Sequence, residues 1–350
     1  MVDWSLARQI ARLAAGSEGP PPTAGDLGQQ VEAAQREVSD YTGLTVAGET
    51  PAPEAIDRAG WAEVNLDSLA RLLEPVAGRL DERLAAAGPL AGALRLGADA
   101  TLAAEAGLVM GYVSQRVLGQ YEVALLAPDV PPRLLFVTPN LERAARDMDV
   151  DAESFEGWVA AHEVTHVVQF GAVPWLRDHL GGMIREYMET VEVRIERGSA
   201  GALPRLPDPR KLVERFAEGG LAALVQTRAQ RKLMSRLQAT MAVVEGYSEH
   251  VMDVVAPRLV DQHQGLREAM ERRRSNRSAP ERVLSRLLGL DMKMRQYEQG
   301  KRFCDSVVAE HGVEGLNRVW QGPDALPTLS ELKRPEAWSR RVADATFSLA

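Results

Sequence analysis

The chain has 350 residues, of which 45% are hydrophobic and 26% charged, so it holds enough apolar material for a large folded core. A net charge of -8 argues against general binding to nucleic acid or to an anionic membrane. Because Cys304 is the only cysteine, no internal disulfide bond can form, and because neither a leader segment nor a membrane-spanning apolar stretch is evident, we expect a globular cytoplasmic protein.

The first third of the chain is predicted to be helical, with irregular connections. Its linkers are rich in Gly and Pro, over 16–25 and again over 43–60, where Pro51 and Pro53 interrupt any regular pattern. We therefore predict that residues 1–114 form a helical amino-terminal portion with flexible linkers. Helical spacing of apolar residues predicts helices over 3–14, 26–40, 63–87 and 90–116.

Two short strands are predicted directly after this portion. The clearest strand patterns run from Val117 to Leu126 and from Leu134 to Thr138, and the turn between them contains three prolines. Segments this close in sequence can pair as a hairpin. We expect them to form a small sheet immediately before the helix described next.

The segment His162-Glu163-Val164-Thr165-His166 is the most informative feature of the chain. Histidines four residues apart lie on one face of a helix and can bind one metal ion, for which zinc is the expected element. The intervening glutamate can act as a general base that takes a proton from the water activated by zinc. This pattern is typical of a zinc-dependent metallohydrolase.

A helix over 152–170 is predicted to carry this motif. Asp151 can cap its amino end, and Gly171 and Pro174 can end it. One stripe of this helix is expected to face the interior, with the glutamate of the motif beside it. The residues of the stripe are Phe155, Val159, His162, His166 and Phe170.

The rest of the chain is predicted to belong to a catalytic portion, 115–350, that contains a helical insertion at about 172–227. From residue 209 onward the pattern is again helical. Interruptions are expected at Gly219–Gly220, Pro257, an arginine-rich break over 272–282, and Gly312.

A catalytic zinc site usually takes a third protein ligand, and the sequence leaves the identity of this ligand open. The compact motif with a third histidine is excluded, because Gln169 and Ala172 occupy the positions of its glycine and histidine. A glutamate from a later helix is the other common solution, and Glu245 and Glu186 are the candidates. His179 ranks below both glutamates.

Glu245 is the favoured third ligand. It lies at the edge of the apolar face of a predicted helix, where removing a carboxylate from water is costly unless a cation meets it. Glu186 belongs to a more polar helix, and a salt bridge to an arginine is the competing explanation for Glu245. Gly246, beside Glu245, permits the close approach of another helix.

The motif resembles that of the gluzincins, zinc metallopeptidases whose third ligand is a glutamate. In many of them this ligand lies in a Glu-Gly-x-Ala/Ser string, which is similar to Glu245-Gly246-Tyr247-Ser248 here. A later string, residues 297–303, is similar to the Tyr-x-x-Gly-x-x-Phe helix that follows the zinc site in such peptidases. The order of these elements agrees, so the resemblance favours Glu245.

More narrowly, segments 162–169 and 173–177 resemble a bacterial family of zincin-like hydrolases that is sometimes labelled as associated with deazaflavin coenzyme biosynthesis. The resemblance implies an α+β, predominantly α-helical zincin-like fold with a small sheet before the active-site helix. Gluzincins often place the glutamate about twenty residues after the second histidine, where Glu186 stands, whereas Glu245 lies beyond the long insertion.

The leading interpretation is a zinc metallopeptidase with Glu163 as the general base. Tyr297 and His250 are candidates for stabilising the developing oxyanion, and Glu249 could orient a ligand histidine. Two alternatives stay open: a zinc-dependent hydrolase of a small non-peptide amide, and a zinc-stabilised interaction scaffold without turnover. The expected partner is a peptide or small amide substrate, with no nucleic acid and no membrane; the sequence predicts no oligomeric state.

Overall fold

The fold is α+β and predominantly helical, as predicted. The computed structural model of the chain describes residues 2–16, 25–85, 91–190, 227–261, 263–275 and 290–347. Its strands are β1 (Pro53–Ile56), β2 (Gly119–Glu122) and β3 (Arg133–Val137). Short 3-10 turns at Asn317–Trp320 and Pro323–Ala325 lie between the last long helix and the carboxyl-terminal helices. The helices are α1 (Trp4–Ala15), α2 (Leu27–Thr42), α3 (Arg58–Ala85), α4 (Ala91–Ser114), α5 (Thr138–Met148), α6 (Ala152–Ala172), α7 (Pro174–Thr190), α8 (Arg228–Leu259), α9 (His263–Ser275), α10 (Leu290–Leu316), α11 (Leu329–Leu332) and α12 (Pro335–Phe347).

The helices predicted in the first third of the chain are confirmed as α1 to α4. The prediction of a linker over 43–60 is wrong in its second half, because β1 and the first turn of α3 lie there. Pro53 opens this strand, and it is tolerated because β1 is an edge strand, hydrogen-bonded to a neighbour on one side only. Prolines therefore did not exclude a strand at this position.

The sheet has three strands in the order β1-β3-β2. Strand β3 is central and its residues Leu134 to Val137 are fully buried, as expected of a strand paired on both sides. β2 pairs with it in the antiparallel direction, which confirms the predicted hairpin, and β1 pairs with it in parallel. The sheet lies directly before α5 and α6 in sequence.

Contacts divide the chain into two compact units, each assembled from several stretches. Unit 1 comprises Met1–Gly25, Pro53–Ala144 and Ile184–Leu212. Unit 2 comprises Asp26–Ala52, Ala145–Met183 and Val213–Ala350. The predicted portions 1–114 and 115–350 are continuous stretches of sequence, and that division stays a prediction.

In unit 1, helices α1 and α4 pack closely through small residues. A Cβ added to Gly107 would lie 2.5 Å from the carbonyl oxygen of Ala7, and one added to Gly111 would lie 2.5 Å from Cβ of Ala14. The side-chain amide of Gln115 donates a hydrogen bond to the carbonyl of Ala14, at 2.6 Å. Glycine at these two positions of α4 therefore permits the helices to touch through their backbones.

In unit 2, helix α6 packs against α2 and α8, and α8 packs against α10. The α8–α10 crossing is unusually close at Gly246 and Gly300. A Cβ on Gly246 would lie 2.5 Å from the backbone nitrogen of Lys301, and a Cβ on Gly300 would collide with the carbonyl oxygen of Ala242. These glycines therefore set how closely the two helices approach.

Of the interruptions predicted after residue 209, only some fall within the part that the structure describes. Pro257 does not interrupt α8, which continues to Leu259, because a proline in the last turn removes only one hydrogen bond near the helix end. Gly312 confirms the expected break, with φ of 69° inside α10. Segment 219–220 and most of 272–282 lie outside the described residues. No helix in the described ranges combines the length and apolar character needed to cross a bilayer.

Candidate metal centre

The motif helix forms as its sequence predicts. The Asp151 carboxylate accepts a hydrogen bond from the backbone N–H of Ser154 at 2.8 Å, which satisfies a donor that the first turn leaves free. This hydrogen bond lowers the pKa of Asp151 below its ordinary value. The helix ends at Ala172, and Pro174 begins the next one. The predicted span 152–170 is thus confirmed to within two residues at its carboxyl end.

His162 and His166 project from the same face of α6, with ring centroids 4.9 Å apart and ring planes at 87°. Phe155 and Val159 are buried as expected, but the histidines keep partial exposure, 12% for the side chain of His166. The prediction that this stripe faces the interior is therefore confirmed for Phe155 and Val159, whereas His162, His166 and Phe170 are only partly buried. The reason is tertiary packing: neighbouring helices bury most other positions between Gly157 and Gln169, so the histidine face is the accessible one.

Helix α8 brings Glu245 to these histidines. The ligand atoms that His162, His166 and Glu245 can offer all lie within 4.8 Å of one another. Oε2 of Glu245 is 3.8 Å from Nε2 of His166. All three residues belong to unit 2, so the cluster is assembled within one compact unit.

The rival third ligands do not join this cluster. Glu186 is exposed on α7, and His179, also on α7, has its ring 5.8 Å from that of Trp175. Burial and the nearby Arg236 lower the pKa of His179. Among the described residues, Glu245 is thus the candidate that geometry favours, and its role as a metal ligand stays a prediction.

Packing around Glu245 holds α8 in place. Tyr247 is fully buried, and its hydroxyl donates a hydrogen bond to Oδ1 of Asn317 at 2.8 Å. Asn317 in turn donates to the carbonyl of Thr42 at 2.7 Å. Burial raises the pKa of the Tyr247 phenol, so this group stays protonated and keeps donating. Together with the Gly246 crossing, this chain of hydrogen bonds restricts the position of the glutamate backbone.

Glu163, the predicted general base, lies on α6 and is 7% exposed. It follows His162 directly, so its side chain leaves the helix about 100° away from that of the first histidine. A carboxylate this buried is shielded from bulk water, which favours proton exchange with a nearby reactant. Its catalytic role stays a prediction.

Two residues to which the sequence assigned no role at the site contact the histidines directly. Oγ of Ser248 lies 3.0 Å from Nδ1 of His162, and Oε1 of Gln169 lies 2.8 Å from Nδ1 of His166. Both side chains are fully buried. The Nδ1 atoms therefore contact these two residues, and the orienting role suggested for Glu249 stays a prediction. Both lie within the quoted motifs, but only the fold shows that they meet the rings.

His250 takes part in a separate polar network of unit 2. Its Nε2 lies 2.8 Å from the hydroxyl of Tyr41, and its Nδ1 lies 2.7 Å from Oδ1 of Asp305. Lys301 bridges Asp305 and Asp253 with contacts of 2.7 and 2.9 Å. Since both ring nitrogens have protein partners, His250 is held as a structural group, and its suggested oxyanion role stays a prediction.

Burial works to raise the pKa of Asp305, but hydrogen bonds from His250 and Lys301 outweigh burial and hold this pKa below its ordinary value. The aspartate is therefore ionised at neutral pH. The other suggested oxyanion donor, Tyr297, falls within α10, but its side chain lies outside the part that the structure describes.

The paired histidines on one helix and the glutamate from a second helix form a potential metal site, and His₂Glu is a donor set that metallohydrolases use. Comparison with known families agrees with this class. Residues 2–339 match the model of the family described as zincin-like metallopeptidase, and the chain belongs to that family. No curated protein matches the chain significantly.

The chain is also similar to a crystal structure from Chloroflexus aurantiacus, described provisionally as a hydrolase with a novel fold. The two are 26% identical in sequence and superpose with a TM-score of 0.73. The match covers 98% of this chain and 99% of that one. The similarity therefore concerns the entire fold rather than the motif helix alone.

Proposed function

We propose that this protein is a zinc-dependent metallopeptidase in which His162, His166 and Glu245 bind zinc and Glu163 is the general base. The single observation that carries the proposal is the cluster of the three ligand side chains, whose donor atoms lie within 4.8 Å of one another. Membership of the zincin-like metallopeptidase family supports it. Cytoplasmic localisation and the absence of nucleic-acid or membrane partners belong to the same proposal.

The donor set fits zinc. Two imidazole nitrogens and a carboxylate oxygen are common ligands of catalytic zinc, and they leave a fourth position for water or substrate. Bonds of this type in a tetrahedral site separate ligand atoms by roughly 3.3–3.6 Å. The 3.8 Å between Nε2 of His166 and Oε2 of Glu245 is close to that separation, so a small side-chain rotation brings both atoms to bonding distance.

When bound there, zinc would polarise a substrate carbonyl and lower the pKa of a water molecule to about 7. Glu163 would accept the proton that a water molecule loses as its oxygen bonds to the carbonyl carbon, and would deliver that proton to the leaving nitrogen as the C–N bond breaks. The burial of Glu163 keeps the proton from exchanging with bulk solvent between these steps. The partial exposure of the histidine face gives a substrate access to the ligands.

The proposal is tested by metal analysis and by cleavage of a peptide library, with products read by mass spectrometry. We expect about one zinc per chain, and cleavage that is lost on chelation and restored by zinc. Glu163→Gln should keep its zinc and lose cleavage. Glu153→Gln is the matched control, since it removes an exposed carboxylate from the first turn of the same helix.

Three results would contradict the proposal in different ways. Wild-type protein that binds no zinc would overturn the metal site itself. Cleavage of small amides without cleavage of any peptide would favour the hydrolase alternative. Zinc binding with no turnover, unchanged by Glu163→Gln, would favour an interaction scaffold.

A further inference from the structure

We propose that Gln169 and Ser248 are positioning residues that fix both histidines in the tautomer whose Nε2 lone pair faces the metal. The inference rests on the proposed function, since it concerns how the ligands of that site are held. Its evidence is a set of four hydrogen bonds, three between α6 and α8 and one within α6.

The direction at Gln169 follows from a backbone carbonyl. Its Nε2 lies 2.9 Å from the carbonyl oxygen of Val244, which can only accept, so the amide nitrogen must point there. The amide oxygen then faces Nδ1 of His166 at 2.8 Å. Because this oxygen can only accept, Nδ1 of His166 must carry a proton, and in the neutral ring Nε2 is then left with its lone pair.

The same reasoning applies to Ser248. Its hydroxyl lies 3.3 Å from the carbonyl oxygen of His162, which can only accept, and we infer that the one hydroxyl proton is directed there. The hydroxyl oxygen then accepts from Nδ1–H of His162 at 3.0 Å. Nε2 of His162 is therefore also unprotonated, which is the form in which an imidazole binds zinc.

The two residues act reciprocally across the helix pair. Gln169 projects from α6 and bonds to α8 at Val244, the residue before Glu245, whereas Ser248 projects from α8 and bonds to α6 at His162. Each therefore fixes a histidine ring and also ties the glutamate-bearing helix to the histidine-bearing one. Both side chains are fully buried, so water does not compete for these hydrogen bonds.

Both partners are uncharged. Ligand histidines often donate Nδ1–H to a carboxylate, which raises the basicity of the imidazole. An amide and a hydroxyl set the tautomer without adding negative charge beside the rings.

The first experiment measures the tautomers in metal-free wild-type protein. Long-range ¹H–¹⁵N spectra of protein labelled at histidine, recorded at pH 8, distinguish Nδ1–H from Nε2–H rings, and the signals are assigned from their loss in His162→Gln and His166→Gln. We expect the Nδ1–H form at both positions, although free imidazole side chains in water prefer the proton on Nε2. An Nε2–H form or a mixture at either histidine would overturn the inference.

The second experiment uses Gln169→Met and Ser248→Ala, which remove the polar groups with little change in shape. Each variant should bring only its own histidine to a mixture of tautomers and should weaken zinc binding, measured by chelator competition, by about 10–100-fold. Thr240→Val is the matched control: it removes a buried hydroxyl of α8 that bonds to the carbonyl of Arg236, and zinc affinity should stay unchanged.

The outcomes separate this inference from the proposed function. If wild-type protein binds zinc and Gln169→Met and Ser248→Ala bind it with the same affinity, the positioning role would be overturned and the proposed zinc site would stand. If either variant alters the tautomers of both histidines, this would indicate a general loss of structure and would also contradict the positioning role. Wild-type protein that binds no zinc would overturn the proposed function and the positioning role with it.

Discussion

The α8–α10 crossing allows one sharp prediction: Gly300→Ala should destabilise the protein although alanine is the better helix former. The added Cβ would lie 2.6 Å from the carbonyl carbon of Ala242 and closer still to its oxygen. Contacts of a real Cβ seldom fall below about 3.4 Å, so the two helices would have to separate locally by about 0.8 Å or more. A gap of that size forfeits a quarter to a half of the dispersion attraction between the atoms it separates.

We therefore expect Gly300→Ala to lower the free energy of unfolding by about 3 kcal/mol, the upper part of the usual range for overpacking. For a folded unit of this size, that corresponds to a fall of roughly 6–12 °C in the melting temperature. Differential scanning calorimetry and urea unfolding measure the two quantities. Gly246→Ala should behave alike, since its Cβ would meet the backbone of Lys301 at 2.5 Å.

Gly182→Ala is the matched control for this prediction. Gly182 lies in the interior of α7, and a Cβ there meets nothing within 4 Å. Alanine at this position should raise stability by up to about 1 kcal/mol, because it removes backbone freedom from the unfolded chain. If Gly300→Ala were as stable as wild type or gained stability as Gly182→Ala does, the close helix approach would be refuted.

Three further predictions follow from the site and its surroundings. Glu245→Gln should lose most of its zinc under conditions in which Glu186→Gln keeps about one per chain; the reverse result would make Glu186 the ligand. Asp305→Asn should lower stability at neutral pH, since the pKa of Asp305 is held below its ordinary value. In urea unfolding, the difference in free energy of unfolding between wild type and variant should have its full size above about pH 5 and should shrink as the pH falls below about 4. Burial raises the pKa of the Cys304 thiol, so a thiol reagent should label it only after unfolding; rapid labelling of folded protein would contradict its burial.

The sequence predicted those features that one helix determines by itself. The cap at Asp151, the span of α6 and the shared face of His162 and His166 all follow from local rules of spacing and hydrogen bonding. Glu245 could be favoured over Glu186 because an acid beside an apolar face needs a partner. These predictions needed no knowledge of which helices are neighbours.

Predictions that depended on neighbouring helices were less complete. Apolar periodicity predicted that the stripe containing Phe170 faces the interior. Periodicity shows that a helix has a buried side, but it does not show that other helices cover the remaining sides too. The contacts of Ser248 and Gln169 with the histidines were not predicted for the same reason: these contacts depend on the pairing of α6 with α8, and residue type alone does not reveal that pairing. Strand β1 was not predicted because prolines disfavour a regular element, whereas an edge strand tolerates one at its first residue.

The proximity of the metal ligands therefore depends on helix packing as much as on the motif. His162 and His166 are fixed relative to each other by one turn of α6, but Glu245 reaches them only if α8 lies at the right height and rotation. Gly246 allows α8 to lie against α10, and the bonds through Gln169 and Ser248 hold it against α6. A change that separates α8 from either neighbour should consequently lower metal affinity before it unfolds the chain, because ligand geometry tolerates displacements of only a few tenths of an ångström. Gly246→Ala offers that test: zinc affinity that falls at temperatures where the protein is still fully folded would show that the packing of α8 sets the geometry of the site.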